Sequence, residues 1–255
     1  MQCRSDTGGA VPVEIEKFNL DKDQISVKVE QSKVHEFEFV VENTGDINAS
    51  VEISHNLRGM IEVISSLELG ADESRTVVVN IVVDQNTTPD IYVGKIVVKT
   101  DDMEKEILVS VEVETPESLF DVLLSIDPED NYILQGEKLN ADISLTRLTG
   151  VEGDVTLNYV IKDENDNVVV ESSETMSVAD AESFLKEFEI PSDLEDGKYV
   201  LYTQVEYEGK VASASQWFNV GEEDWLRANL IWILLGGVLL VVGVVGGVVF
   251  LKKRG

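Results

Sequence analysis

Oxygen-rich side chains in one predicted turn are the first candidates for chemistry in this sequence of 255 residues. Asp163, Asn165 and Asp166 fall between two predicted strands, and Ca²⁺ prefers carboxylate and amide oxygens as ligands. A second acidic group, at Asp127, Glu129 and Asp130, lies in another turn, after the strand predicted at residues 119–126. Neither group has the EF-hand spacing, and such residues are also ordinary in hairpin turns. Calcium binding and a purely structural turn both remain open, and the sequence predicts no other metal site.

Catalytic residues are not predicted. The only histidines, His35 and His55, alternate with apolar neighbours near strand ends, which is typical of packing residues. The sequence has no Ser/His/Asp order, no glycine-rich phosphate loop and no HExxH motif. Carboxylates on solvated turns lack the burial that separates the pKa values of a general acid and a general base. We therefore expect a protein that is not an enzyme and needs no cofactor.

Two segments fit the acceptor motif for N-glycosylation, beginning at Asn48 and Asn86. Asn86 is the better candidate because threonine follows at the third position and residues 84–90 are predicted to form an exposed loop. Sequons of this kind also arise by chance, so the sequence leaves the modification of either site open.

The charge of the chain restricts its partners. The formal net charge is −29, and the only charged residues beyond Arg227 are the basic residues 252–254, so residues 1–227 are still more acidic. Such a surface repels nucleic acid, which is excluded as a partner, and repels anionic lipid. It attracts cations or basic proteins, or it simply keeps an exposed surface soluble.

The elements that position these residues are predicted to be short β-strands. Residues 34–41 alternate so that His35, Phe37, Phe39 and Val41 share one face. Further runs at residues 51–53, 76–83, 91–99 and 106–113 are separated by turns, one of which contains Gly45, a residue able to adopt positive φ. About seven strands at this spacing predict an antiparallel sandwich over residues 11–114, after a disordered segment at 1–10.

Three strings in this half carry a family resemblance: FEFVVENTGD, LELGADESRTVVVNIVV and TPDIYVGKIVVKT. They are similar to the immunoglobulin-like domains repeated in bacterial and archaeal surface proteins, typified by CARDB-like and α-galactosidase-associated modules. The matching features are Asn43-Thr44-Gly45, the turn at residues 69–73, and the pattern Pro-x-x-Tyr-x-Gly at residues 89–94. The resemblance implies an immunoglobulin-like fold and a prokaryotic, archaeal-type origin, but it implies little about ligand.

A second β pattern follows a predicted polar hinge at residues 115–117. Strands are predicted at residues 119–126, 139–145, 155–161, 168–171, 183–190, 199–207 and 211–220, with Gly197 free to take positive φ in the turn at 194–199. Residues 118–220 resemble a macroglobulin-type or fibronectin-type sandwich through residues 132–137, 194–199 and 212–220. The predicted fold class is therefore all-β, with two tandem immunoglobulin-like sandwiches.

Residues 230–251 predict a C-terminal transmembrane helix after a stalk at 221–229. The segment LIWILLGGVLLVVGVVGGVVFL has no charged residue. In a helix it would be roughly 33 Å long, enough for a hydrocarbon core of about 30 Å. Lysine and arginine favour the cytoplasmic side, and tryptophan favours the interface. The boundary residues are Trp225, Trp232, Lys252, Lys253 and Arg254, which place the head outside and the tail at 252–255 inside.

The anchor also has a candidate packing face. Gly236, Gly243 and Gly247 lie on one side of the predicted helix, and the last two form a GxxxG pattern, which lets transmembrane backbones approach closely. The alternative is that glycine is simply common in membrane spans.

The first residues of the sequence do not show the signal peptide that an external location of residues 1–227 would require. The opening segment MQCRSD has no apolar run. The chain is mature, or its start is assigned too far downstream, or the head is cytosolic and tail-anchored, which would put the basic tail on the wrong side. Cys3, the only cysteine, excludes an intramolecular disulfide and is either a lipoprotein-like N-terminal cysteine or an inert thiol.

These observations predict a single-pass, non-catalytic protein of the cytoplasmic membrane for adhesion, envelope structure or binding of a protein or glycan. The second sandwich is expected to lie close to the lipid, with loops at the distant tip of the first sandwich binding the ligand. The alternative is an accessory subunit of a secretion, glycosylation or transport complex, assembled through its glycine-rich helix.

Overall fold

The computed structural model describes residues 17–57, 59–128, 131–149 and 153–221. These residues form seventeen β-strands and, within the described ranges, no α-helix. The predicted all-β class is confirmed.

The first nine strands form one sandwich. Burial alternates along most of them, as expected for sheets with one face on a core, whereas the last of the nine is buried on both faces. The strands are β1 Phe18–Leu20, β2 Gln24–Glu30, β3 Val34–Asn43, β4 Ala49–His55, β5 Ile61–Val63, β6 Ser66–Leu69, β7 Ser74–Val82, β8 Ile91–Lys99 and β9 Glu104–Glu114.

Two sheets enclose the first core. One has the strand order β1-β3-β7-β5, and the other has the order β2-β9-β8-β4-β6. Phe39, Val79 and Ile107 are fully buried between them. The long strands β3, β7, β8 and β9 fall in the predicted segments, whereas the short strands β1 and β5 were not predicted because three residues show no clear period.

The remaining strands form a second sandwich. One sheet has the order β10-β12-β15 and the other β11-β17-β16-β13-β14. Tyr159 and Phe188 meet edge to face in its core, with ring centroids 5.5 Å apart. The strands are β10 Phe120–Ile126, β11 Tyr132–Ile133, β12 Lys138–Arg147, β13 Asp154–Asp163, β14 Val168–Ser177, β15 Ala181–Glu189, β16 Gly197–Tyr207 and β17 Lys210–Val220.

The prediction of purely antiparallel sandwiches is wrong at two strands. β2 pairs in parallel with β9, and β11 pairs in parallel with β17. In each sandwich an early strand joins the edge of the sheet that contains the last strand, so the two run in the same direction. The intervening strands provide the long connection that parallel pairing requires.

The turns predicted around Gly45 and Gly197 form without a glycine in the left-handed region. Neither Gly45 nor Gly197 has positive φ, contrary to expectation. Instead, the buried Asn43 amide donates to the carbonyl oxygens of Ile47 (2.8 Å) and Gly70 (3.0 Å), and its Oδ1 accepts from the Gly45 N–H (2.9 Å). An asparagine side chain can replace backbone hydrogen bonds in this way, which explains the Asn-Thr-Gly motif without left-handed glycine.

The sandwiches pack side by side, with β9 of the first facing β17 of the second. The two strands belong to different sheets and run in opposite directions. Glu114 contacts Ser213 near the start of β17, whereas Ser110 contacts Trp217 near its end. Where the described chain ends, Gly221 shares a cavity with Asp23 and Leu108 of the first sandwich. A sheet face rather than a domain end therefore forms the contact between the two sandwiches.

Several predicted features lie outside the described residues. Among the residues that are described, no helix is long and apolar enough to cross a membrane. The segments concerned are the disordered N-terminus at 1–10 and the helix at 230–251, together with Gly236, Gly243, Gly247, Trp225, Trp232, Lys252, Lys253 and Arg254.

Candidate functional site: the interface between the two sandwiches

β9 is buried on both faces from Ile107 to Glu114. Its odd-numbered side chains, such as Val109 and Val111, belong to the core of the first sandwich. Its even-numbered side chains face the second sandwich instead of water. These residues are Leu108, Ser110, Glu112 and Glu114.

An apolar cluster joins the two sandwiches. Its members are buried and come from both sheets: Ile91, Val93 and Leu108 from the first sandwich, and Val200, Tyr202 and Trp217 from the second. Trp217 donates its indole N–H to Ser110 Oγ at 3.1 Å, and Ser110 Oγ donates to Ser26 Oγ at 2.9 Å. The ring is therefore fixed both by packing and by a directional bond.

Two buried glutamates extend this contact. Glu114 Oε1 accepts from the Ser213 N–H at 2.5 Å and from Ser213 Oγ at 3.2 Å. Glu112 accepts from the hydroxyls of Ser213 and Ser215. Lys28 Nζ lies 3.3 Å from Glu114 and 3.9 Å from Glu112. The small serines let β17 approach β9 while still providing donors.

Burial has an electrostatic consequence for Glu112. Loss of solvent raises the pKa of its carboxyl above the ordinary value, although the hydrogen bond from Ser215 and the charge of Lys28 oppose the shift. Glu114 adds repulsion that acts in the same direction as burial. The interface therefore contains a carboxyl group that holds a proton more readily than a solvent-exposed glutamate does.

A buried lysine forms a second polar contact at the edge of the interface. Lys162 Nζ donates to the Ile91 carbonyl oxygen at 2.5 Å, to Asp166 Oδ1 at 3.0 Å and to Asp90 Oδ2 at 3.2 Å. Asp166 Oδ1 also accepts from the Val93 N–H at 3.1 Å. This lysine belongs to the second sandwich, and its partners come from both, so it links the two.

The turn proposed for calcium has structural roles in this arrangement. Asp163 Oδ1 accepts from the backbone N–H groups of Asn165 (2.9 Å) and Asn167 (2.8 Å). Asp166, with φ of 68°, turns its carboxylate toward Lys162. In the described part of the chain, no three His, Cys, Asp or Glu side chains converge as metal ligands. Of the second acidic group, Glu129 and Asp130 lie outside the described residues.

The remaining predicted residues are separate from the interface. Asn48 and Asn86 are both exposed, and Asn86 lies in the loop between β7 and β8. His35 is exposed on β3, whereas His55 is half-buried at the end of β4. The structure does not bring the two histidines together with an acidic group as metal ligands among the residues it describes.

Sequence reasoning missed the interface residues. Ser110, Glu112 and Glu114 alternate with valines, which is the pattern of a strand with one face in water. One signal was available in ASASQWFNV, where small residues alternate before a tryptophan, because small side chains allow a close approach between sheets.

Comparison with known proteins assigns no family to this chain. No family model and no curated protein matches the sequence. A Porphyromonas gingivalis protein of unknown function is 11% identical, with a TM-score of 0.43, over 80% of this chain and 97% of its own. The human CEP192 PapD-like domain 7 is 12% identical, with a TM-score of 0.35, over 45% of this chain and 96% of its own. The Pseudomonas aeruginosa CupB2 chaperone is 6% identical, with a TM-score of 0.33, over 78% and 99%.

All three identities are 12% or lower and all three TM-scores are below 0.5, so these structures assign neither a family nor a role to this chain. The resemblance to CARDB-like modules and the archaeal-type origin remain predictions.

Proposed function

We propose that the chain is a membrane-anchored, non-catalytic cell-surface protein whose two sandwiches act as one rigid unit in adhesion, envelope structure or binding of a protein or glycan. The single observation that carries the rigid unit is the buried contact of β9 with β17, in which Trp217 bonds to Ser110 and Glu114 bonds to Ser213. A sheet-to-sheet contact with an apolar cluster resists domain motion better than a flexible linker does. The proposed location is the cytoplasmic membrane, with the N-terminal head outside.

Contacts of the connecting segment support the same proposal. Thr115 Oγ1 accepts from the Val211 N–H at 2.8 Å, and Lys210 Nζ donates to the Pro116 carbonyl oxygen at 2.8 Å. The Leu148 N–H donates to the Leu119 carbonyl oxygen at 2.9 Å. Residues 115–119, which include the predicted hinge, are therefore attached to the second sandwich and offer a protease little free backbone.

Protease accessibility on intact cells, with mass spectrometry of the released fragments, tests this function. We expect cleavage within residues 222–229 to release one fragment that contains both sandwiches. Cleavage between residues 115 and 119 would contradict the rigid unit. Protection of the whole head until the cells are lysed would contradict the external location, with a cytosolic marker protein as the control for cell integrity.

The rival proposal is an accessory subunit of a membrane complex, supported by the spacing of Gly236, Gly243 and Gly247. Gly243→Leu and Gly247→Leu separate the two roles. These changes should dissociate a complex subunit and leave a surface binding protein active, as measured by co-purification with membrane partners and by ligand binding.

A further inference from the structure

The third strand of the first sandwich, β3, has one edge that is only partly paired. β1 has three residues and pairs with residues 41–43 of β3, whereas β7 pairs with residues 34–42 along the opposite side. In the described part of the chain, no strand lies beside residues 34–39 on the side of β1. Residues 34–39 are named the open edge.

Hydrogen bonds at the paired end of β3 show which backbone groups face the open edge. On the side of β1, the Val40 N–H donates to Asp21 Oδ1 at 2.6 Å, and the Val40 carbonyl oxygen accepts from the Asp21 N–H at 3.3 Å. On the side of β7, the Asn43 N–H donates to the Glu73 carbonyl oxygen at 2.9 Å. Because the backbone groups of successive residues point to opposite sides of a strand, the even-numbered residues face the open edge.

Most of these even-numbered backbone groups are able to pair. Among the residues that the structure describes, the N–H and C=O groups of Val34 and Glu36 and the N–H of Glu38 have no hydrogen-bond partner. The Glu38 carbonyl oxygen accepts from Lys22 Nζ, at the end of an exposed side chain that another donor can replace. Such a row of backbone groups is a template for the addition of a strand.

The core of the first sandwich is incompletely covered beside the open edge. The core-facing side chains of β3 are odd-numbered, and Phe39 and Val41 are both 0% exposed. Towards the open edge, Phe37 is only partly buried although it packs against the core, and His35 is exposed. An apolar side chain of an added strand would therefore remove further apolar surface of Phe37 from water.

The outer face of the open edge is acidic. Glu36 and Glu38 are exposed there, and their cross-strand neighbours on β7 are Asn80 and Val78. Glu62 of β5 lies on the other side of Asn80 and is also exposed. Within the described ranges, neither Glu36 nor Glu38 forms an ion pair. Basic side chains directly opposite these two glutamates would form favourable cross-strand pairs.

Two other long edge strands are protected against such addition. β14 and β15 are edge strands of the second sandwich, and each directs a charged side chain inward, Glu174 and Lys186, which form an ion pair at 3.0 Å. Inward-pointing charges of this kind disfavour the pairing of an edge with another chain. The core-facing residues of the open edge, His35, Phe37 and Phe39, include no carboxylate, lysine or arginine.

We propose that the open edge binds an extended segment of another protein in which basic residues alternate with apolar ones. This proposal rests on the proposed binding function and names its partner. The segment would pair antiparallel, as every strand of this sheet does, with its backbone bonded to Glu36 and Glu38. Its basic side chains would lie beside the two carboxylates, and its apolar side chains would cover Phe37. The net charge of −29 disfavours a second copy of this chain as the occupant.

The first test measures binding of a synthetic peptide to the full chain in detergent. The probe is a fluorescent peptide of about seven residues in which lysine alternates with valine, enough to span the open edge. The control peptide has glutamate in place of each lysine. Fluorescence anisotropy is measured in about 0.15 M salt, which screens long-range attraction. We expect the lysine peptide to bind at least about tenfold more tightly than the glutamate peptide.

Two N-methylated forms of the lysine peptide separate strand pairing from charge attraction. In the antiparallel arrangement, each peptide residue opposite Glu36 or Glu38 is a lysine whose N–H points at β3. N-methylation of the lysines keeps the charge but removes these donors, and it should weaken binding by at least about tenfold. N-methylation of the valines, whose N–H groups point away from β3, is the matched control and should leave binding unchanged.

The second test reverses the charge of the open edge. A chain with both Glu36→Lys and Glu38→Lys should lose at least about tenfold in affinity for the lysine peptide and should gain affinity for the glutamate peptide. The matched control combines Glu171→Lys with Glu195→Lys, two exposed glutamates of the second sandwich, and has the same net charge. It should bind the lysine peptide like the wild-type chain. Thermal unfolding of each variant shows that it is folded before binding is compared.

Three results would overturn this inference: the lysine peptide does not bind, N-methylation of its lysines leaves binding unchanged, or the control variant loses as much affinity as the open-edge variant. Hydrogen exchange measured by NMR adds a fourth. Protection of the Glu36 and Glu38 N–H groups without peptide would mean that residues 1–16 or a second copy already cover the edge. Protection that appears only with the lysine peptide is the expected result.

Failure of the peptide to bind would leave the external rigid unit intact, because protease accessibility on cells tests that proposal separately. Conversely, a cytosolic head would contradict the cell-surface function without affecting peptide binding measured in solution.

Discussion

The indole N–H of Trp217 in the second sandwich donates to Ser110 Oγ in the first at 3.1 Å, and both residues are buried. Each residue lies on the face of its strand that points away from its own core. The bond therefore stabilises the contact between the two sandwiches. It does not contribute to the stability of either sandwich alone.

Replacing this tryptophan should weaken the coupling of the two sandwiches. Trp217→Phe keeps an aromatic ring but leaves Ser110 Oγ without its donor, at an expected cost of about 1 to 3 kcal/mol in the free energy of unfolding. We expect the wild-type chain to unfold in one transition and the variant to separate into two in urea, followed by circular dichroism. Tyr199→Phe removes a hydrogen bond within the second sandwich, to the Glu195 carbonyl oxygen, and is the control. Two transitions in that control as well would mean that the effect is not specific to the interface.

Asp166 has a left-handed backbone conformation, and its side chain accepts from the Val93 N–H of the other sandwich. Three variants separate the contributions of backbone and side chain to the free energy of unfolding. Asp166→Asn keeps an oxygen for the Val93 N–H and tolerates positive φ, but it removes the negative charge 3.0 Å from Lys162 Nζ, so it should cost about 1 kcal/mol. Asp166→Gly relieves the backbone but removes the acceptor, whereas Asp166→Ala has both defects and should cost about 2 kcal/mol or more. An alanine variant as stable as the wild-type chain, measured by denaturant unfolding, would show that neither the side chain nor the left-handed backbone at this position affects stability.

How much of this fold the sequence predicts depends on the kind of strand. The predicted strands at residues 34–41, 76–83 and 91–99 coincide closely with β3, β7 and β8 because alternate side chains of each enter the core of the first sandwich. β14 was predicted to end at Glu171 but continues to Ser177, because the polar run Ser172 to Thr175 has no apolar alternation. It lies at the edge of its sheet, where pairing with one neighbour holds polar residues in a strand.

The candidate site could not be predicted in the same way. Glu112 and Glu114 have the spacing of solvent-facing residues, and period-2 alternation does not distinguish water from a second polar sheet surface. Likewise, the turn around Asp166 was located correctly, but its partner Val93 is 73 residues away along the chain. Contacts at this separation depend on how the two sandwiches pack, which no local pattern encodes.

The two sequons should differ in use if the head is exported. Ser50 of the first sequon lies in β4 and donates its hydroxyl to Glu68 at 2.8 Å, whereas the second sequon lies in a loop before β8. A loop can fit an extended conformation into a transferase more easily than a paired strand can. We expect Asn86 to be occupied and Asn48 to be largely unmodified, as measured by peptide mapping of the chain purified from its native cells. Preferential modification of Asn48 would contradict this order.

Glu112 should make the interface more stable in mild acid. Burial raises the pKa of its carboxyl in the folded chain, so its stabilising contribution is complete below the unfolded pKa and is lost as the pH rises through the folded pKa. Relative to Glu112→Gln, the wild-type chain should therefore gain unfolding free energy as the pH falls from about 7 to about 4. Glu62→Gln, at an exposed glutamate, is the matched control in denaturant titrations. A difference between wild type and Glu112→Gln that does not change with pH would be inconsistent with this mechanism.

Glu174 should show the opposite pH dependence. Its carboxylate accepts from Tyr159 Oη at 2.6 Å and lies 3.0 Å from Lys186 Nζ, which holds β14 against β15. The hydrogen bond from Tyr159, followed by contact with Lys186, lowers the pKa of Glu174, although burial opposes the shift. Its contribution is therefore present above the unfolded pKa and is lost as the pH falls through the folded pKa. Relative to Glu174→Gln, the wild-type chain should be more stable at pH 7, and this advantage should shrink as the pH falls below the ordinary glutamate pKa of about 4.3. An advantage that does not change with pH would mean that packing around Tyr159, and not the carboxylate charge, stabilises this edge of the second sandwich.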